Sequence, residues 1–137
     1  MIDAMDALLA YLSDSLPLAG GRVWPELPEE PAVEAASGRP LPAIVLNLVG
    51  GSLRRMAPLS SPRFYVTCYG RSRAEAYSLF RAMYDLFYAD AWRPVNVRGS
   101  GRVLRSAAFV ADAAIDVDPG TGWPVAQATL QAEFNAV

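Results

Sequence analysis

Ile2, Met5, Leu8, Leu9, Leu12 and Leu16 recur at helical spacing and fall on one arc, with Asp3, Asp6, Ser13 and Asp14 opposite them. The spacing predicts an amphipathic helix over residues 2–16. Asp3 and Asp6 lie in its first turn, where the helix dipole favours negative charge. Pro17 and then Gly20-Gly21 end it. A second helical period begins after Ser72, where Ala76, Leu79, Phe80, Met83, Leu86 and Phe87 span one broad arc, the predicted core face. Glu75, Ser78, Ala82 and Asp85 form its wet face. Ser72 with Glu75 has the spacing of a capping box, in which hydroxyl and carboxylate each accept from an unpaired backbone N–H. Tyr77, Tyr84 and Tyr88 form a ridge beside the core arc, next to Arg81. Tyrosines in this position either cover the edge of a core or present large, stiff, amphipathic rings to another protein.

Elsewhere the period is two. Residues 43–49 place Ile44, Leu46 and Leu48 on one face, and Gly50-Gly51 is predicted to close that strand. Residues 63–69 place Phe64, Val66 and Cys68 on one face and Arg63, Tyr65, Thr67 and Tyr69 on the other. The two strands predict an antiparallel hairpin with a long tip over residues 52–62, carrying Arg54 and Arg55. Residues 103–110 predict a further strand, with Ile115 and Val117 in it or its continuation. The last strand alternates most clearly: Ala126, Ala128, Leu130, Ala132, Phe134 and Ala136 against Gln127, Thr129, Gln131, Glu133 and Asn135. The order α-β-β-α-β-β predicts a single α+β domain over residues 1–137, a mainly antiparallel sheet with two helices packed on one face. Residues 25–42 interrupt it with five prolines and Glu26, Glu29, Glu30 and Glu34, which forbid a regular ladder or long helix. Such a stretch is either a solvated loop or an arm that orders against a partner.

Composition narrows the chemistry. The 137 residues include 12 arginines but no lysine, no histidine and one cysteine. This excludes His-assisted nucleophilic catalysis, His-ligated metals, Schiff bases, disulfides within the chain and cysteine zinc cages. The short glycine runs 99–101 and 120–122 lack the third glycine and the strand–helix context of a dinucleotide fingerprint, and read as turns. Asp112, Asp116 and Asp118 cluster, but a calcium loop starting at Asp116 requires glutamate where Gln127 stands. The close carboxylate pairs Asp116/Asp118 and Glu29/Glu30 are the available hydrolytic groups, and nothing else supports a sugar site. Cys68 sits on an apolar strand face and reads as a small hydrophobe. No catalytic residue, metal or cofactor is expected. The net charge of −2 argues against a general nucleic-acid binder, but not against a protein that nucleic acid passes. The acidic start lacks a secretory n-region and no apolar run is long enough to span a membrane, so neither export nor a membrane is expected. An apolar fraction of 53% and a mean hydropathy of +0.17 favour a protomer of a larger assembly, although 23 alanines supply much of that fraction.

The order of motifs resembles the tail terminator (tail completion) proteins of long-tailed bacteriophages and related tail-like particles. An N-terminal amphipathic helix leads into residues 21–28 (GRVWPELP), then residues 41–46 (LPAIVL) and Gly50-Gly51. The strand of residues 63–70 runs directly into the capped helix at Ser72, and residues 118–124 (DPGTGWP) precede the alternating last strand. The acidic proline-rich stretch is longer than the family pattern. The resemblance implies a non-enzymatic virion protein, assembled in the host cytoplasm. It would form a ring, a hexamer, on the head-proximal end of the tail tube, end tube polymerisation and meet the head connector or stopper. DNA would cross its lumen without sequence-specific binding. In that setting Tyr77, Arg81, Tyr84 and Tyr88 are candidates for the subunit interface. Glu29, Glu30, Arg54 and Arg55, in loops at the two ends of the domain, are candidates for contacts with tube and connector. The competing readings are another head–tail joining component (a stopper or minor tail protein), a small carboxylate-dependent enzyme, and a monomeric binding module using the proline-rich segment.

Overall fold

The computed structural model describes residues 4–29, 31, 33–54, 59–88, 94–97 and 102–135. Glu30, Arg55, Ala136, the start of the first helix and the 99–101 turn lie outside them. Helix α1 spans Ala4–Ser15 and is followed by a 3-10 turn, Pro17–Ala19, closed by Gly20 in the left-handed region. Strands β1 (Val23–Trp24), β2 (Ala43–Arg54) and β3 (Leu59–Tyr69) precede helix α2 (Arg73–Phe87). Strands β4 (Val95–Val97), β5 (Arg102–Phe109), β6 (Ala114–Val117) and β7 (Pro124–Asn135) complete the chain.

The fold is α+β, as the periodicities predict, but the element order is richer than α-β-β-α-β-β and the sheet is mixed. The strands run β1-β2-β3-β7-β5-β4, with β6 paired to β7 beyond the end of β5. β1 is parallel to β2 and every other pairing is antiparallel. The extra strands β1 and β4 are two and three residues long, too short to produce a readable alternation. Ile115 and Val117, expected in the 103–110 strand or its continuation, stand in β6, a separate strand exposed along its whole length.

The hairpin also departs from expectation. Gly50-Gly51 does not end β2. Leu48 opposes Phe64 while Gly51 opposes Pro62, so β2 carries one extra residue there and continues to Arg54. A glycine pair inside a strand marks a bulge as readily as an end. Pro62 lies inside β3, where the β3–β7 pairing is interrupted between Ser60 and Arg63 and β2 bulges. A residue without an N–H is tolerated where ladder bonds are absent. The predicted long tip is therefore mostly paired strand.

Register stacks the predicted faces. Ile44, Cys68 and Ala126 oppose one another across β2, β3 and β7, as do Leu46, Val66 and Ala128, and then Phe64 with Leu130. All are buried, in one cluster with Leu8, Leu12 and Leu16 of α1 and Ala76, Leu79, Phe80, Met83 and Phe87 of α2. Both helices thus cover the same face of the sheet. A register shift between Leu104 and Ser106 lets Leu104 and Ala107, three apart in sequence, both enter this core. On the opposite face Ala43, Val45, Tyr69 and Val125 form a second small cluster beneath Trp24, Leu27 and Trp123. Two tryptophans that look scattered in sequence therefore share one apolar patch.

Candidate functional site

Helix α2 presents its tyrosine ridge along the flank of the sheet. The Ser72 hydroxyl accepts from the Glu75 N–H at 3.1 Å, which starts the helix and fixes its rotation. With Leu79, Phe80 and Met83 turned inward, Tyr77, Arg81, Tyr84 and Tyr88 fall together on one side. The rings of Tyr84 and Tyr88 stack at 4.2 Å, and the Arg81 guanidinium lies 4.7 Å from the centroid of Tyr84. Tyr77 packs on Phe80, its hydroxyl 3.3 Å from both carboxylate oxygens of Asp112. The Tyr88 hydroxyl accepts from the Phe109 N–H at 3.0 Å. Phe109 also meets Phe80, Tyr84 and Phe87. The ridge is thus a clamp between α2 and β5. Tyr77 and Tyr84 remain half-buried, Tyr88 and Arg81 exposed. Edge cover and outward display, alternatives on the sequence, occur in the same residues. Phe109 and Asp112 complete the group. Phe109 lies in a predicted strand, but no local spacing couples either residue to α2.

The candidate tube and connector residues are not brought together. Leu27 packs against Ala43 and Val45, so the stretch carrying the exposed Glu29 leaves from the start of β2. Arg54 is the last residue of β2, about 35 Å away by strand rise. Glu29 and Arg54 thus belong to opposite ends of the domain, and Glu30 and Arg55 lie outside the described residues.

The described part of the proline-rich stretch is held by the chain's own contacts. Arg71 forms ion pairs with Glu34 and Glu75, and the Arg39 guanidinium donates to the Arg71 carbonyl at 3.0 Å. Val33 and Pro40 form an isolated bridge, and the Glu34 N–H donates to the Arg39 carbonyl. Hydrogen bonds from Arg71 hold the Glu34 and Glu75 carboxyls below the usual glutamate range, and the two carboxylates raise Arg71 in turn. The capping box is displaced by the same residue. Instead of returning to Ser72, the Glu75 carboxylate accepts from the Arg71 N–H at 2.8 Å and from the Arg71 guanidinium.

The remaining candidates for chemistry have structural tasks. Asp118 accepts from Tyr69, Gly120 and Thr121, and so closes the turn before β7. Burial, reinforced by this hydrogen bond and the Asp118 charge, pushes the Tyr69 hydroxyl up to about 12. Asp112 and Asp116 each accept from the following backbone N–H. Among the described residues no group of three acidic or cysteine side chains is arranged to hold a metal ion. Burial alone pushes the Cys68 thiol up to about 12, so it is a core side chain rather than a nucleophile. An open groove of about 540 Å³ lies between the 3-10 turn and α2, lined by Leu18, Leu41, Pro42 and Leu79. Its charged members are engaged: Arg22 donates to the Pro42 carbonyl, and Arg71 pairs with Glu75. No helix among the described residues is long and apolar enough to cross a membrane.

No protein-family model and no curated protein matches the chain. Among solved structures the fold is similar to a chain of the virion of a native gene transfer agent particle. The TM-score is 0.59 at 13% sequence identity, and the likeness covers 98% of this chain and 100% of that one. At this identity the likeness is one of fold.

Proposed function

We propose that this chain is a structural component of a phage-like virion. More specifically, it would be a tail terminator that forms a closed ring on the head-proximal end of the tail tube. The observation that carries the reading is the end-to-end fold likeness to a chain of a gene transfer agent virion, which leaves almost no part of either chain unmatched. The motif order that resembles tail terminators spans the same length. The tyrosine ridge suits the side-to-side contacts of such a ring, because aromatic rings and arginine are enriched where subunits meet. Glu29 and Arg54, at opposite ends of the domain, suit contacts above and below the ring, with tube on one side and connector on the other. The ring would be a hexamer through which DNA passes. Its role would be binding and termination, without catalysis.

The experiment is to purify the chain, measure its mass by light scattering, and add it to polymerising tube protein from the same particle. A terminator is expected to form a closed ring and to shorten the tubes in proportion to its concentration. A ring that leaves tube length unchanged would indicate a different joining component. Replacing Tyr77 and Tyr84 together by serine should weaken the ring. Because those rings also pack on Phe80 and Phe109, the exposed substitution Arg81→Glu is the companion that leaves the core intact. An unchanged oligomer in both variants would remove the ridge from the interface.

A further inference from the structure

Two of the open strand edges differ in character from the short terminal strand β4 and from each other. On one side β1 pairs only with Ile44 and Val45, so residues 46–54 of β2 have no ladder partner on their outer side among the described residues. Leu48 and Val49 lie on this stretch, 56% and 54% exposed. Long free edges with exposed apolar side chains template pairing with another chain, and monomeric proteins normally blunt them with charge, proline or a covering loop. The bulge beside Leu48 does not hide these residues. Towards the other side β6 pairs with β7 and has no second ladder partner among the described residues, and all four of its residues are exposed. Ile115 and Val117 are 42% and 38% exposed, and Val110 in the preceding turn is 64% exposed.

We propose that these two edges are the halves of one head-to-tail junction, in which the free edge of β2 adds antiparallel to β6 of a second copy of this chain. Strand direction supports it. β2 and β7 run one way and β3 and β6 the other, so β6 of a neighbouring copy placed in the same sheet beside β2 continues the alternation without a fault. Charge supports it independently. Residues 43–69, the hairpin that carries β2, contain Arg54, Arg55 and Arg63 and no acidic residue. Residues 110–118 contain Asp112, Asp116 and Asp118 and no basic residue. By sequence the segment that carries β2 is basic and the segment that carries β6 acidic, although Arg63 itself stands on β3 and reaches Gln131 of β7; this difference favours β2–β6 pairing over β2–β2 or β6–β6, which would join segments of like charge. The tyrosine ridge borders the acidic edge, since Tyr77 reaches Asp112 and Tyr88 binds Phe109, so ridge and edge form one continuous face. A contact between two different edges is heterologous and closes by rotation into a ring. The inference therefore rests on the ring reading and adds which surfaces make the ring.

Cross-linking separates the possibilities, because the native Cys68 is buried and the wild type serves as its control. The double variant Val49→Cys/Ile115→Cys, treated with a short bismaleimide, is expected to give a ladder of covalent multimers, and neither single variant should. Dimers from Val49→Cys alone would show β2–β2 pairing and overturn the proposal, as would a double variant that gives no ladder. Reversing charge with Asp112→Arg/Asp116→Arg should weaken assembly by at least about tenfold, and adding Arg54→Asp/Arg63→Asp should restore it. Unchanged circular dichroism would show that these surface variants still fold. A wild-type ring that neither cross-links nor responds to charge reversal overturns this junction and leaves the ring reading standing. A wild-type chain that stays monomeric overturns both.

Discussion

Gly70 joins β3 to the cap of α2, and a Cβ there would lie 2.5 Å from the backbone nitrogen of Ala76 and 3.0 Å from Glu75. Backbone cannot withdraw as a flexible side chain can, so the close approach itself requires glycine. Gly70→Ala should cost about 1–3 kcal/mol, the range for overpacking a buried site, read as a lower urea midpoint with an unchanged slope. The ridge shows the same dependence on neighbours at residue scale. Tyr88 takes the Phe109 N–H and Tyr77 reaches Asp112, so each tyrosine secures the flank of β5 while leaving part of its surface available to a partner.

At the scale of elements, the clasp around Arg71 joins three segments: the proline-rich stretch through Glu34 and Arg39, the end of β3, and the first turn of α2 through Glu75. Both carboxyls are held below the usual glutamate range. Their contribution is therefore complete above the unfolded-chain value of about 4.3 and is lost as the pH falls through the lower folded values. Amide exchange over residues 33–40, corrected for intrinsic rates, should accelerate between pH 6 and pH 3, whereas α2 should stay protected. Arg71→Gln should produce the same acceleration at pH 6. Equal protection at both pH values would show that the bridge and Leu27 hold the stretch without the clasp.

For the whole molecule, both helices cover one face of the sheet, and among the described residues the other face is covered only where Trp24, Leu27 and Trp123 pack on the cluster around Tyr69. The apolar surplus of the composition does not form one broad patch. Much of it is alanine, three of them buried on β7, and the exposed large apolar side chains among the described residues fall partly on the sheet edges, at Leu48, Val49, Val110, Ile115 and Val117, and partly elsewhere, at Leu18, Val33, Tyr65 and Tyr88. If the edge residues meet in an assembly, binding stabilises only the folded state. The unfolding temperature should then rise with protein concentration in the wild type and become independent of it in Val49→Lys. A concentration-independent midpoint in the wild type would argue for a monomer.

Periodicity by itself determined the two helices, their buried arcs, the faces of β2, β3 and β7, and the α+β class, because burial on one side writes a repeat into any element long enough to show it. It also placed Tyr77, Arg81, Tyr84 and Tyr88 on one flank, since helix geometry alone brings them together. Tertiary structure alone decided the rest. Short β1 and β4 carry no period, and Ile115 and Val117 mark a strand without deciding whether it continues β5 or stands apart as β6. The bulges at Gly50-Gly51 and at Arg105 change register through pairing with a distant strand. Phe109 and Asp112 join the tyrosines only because β5 and α2 pack side by side. The free edge of β2 is likewise a property of the sheet, because whether a strand has a neighbour depends on where every other strand ends.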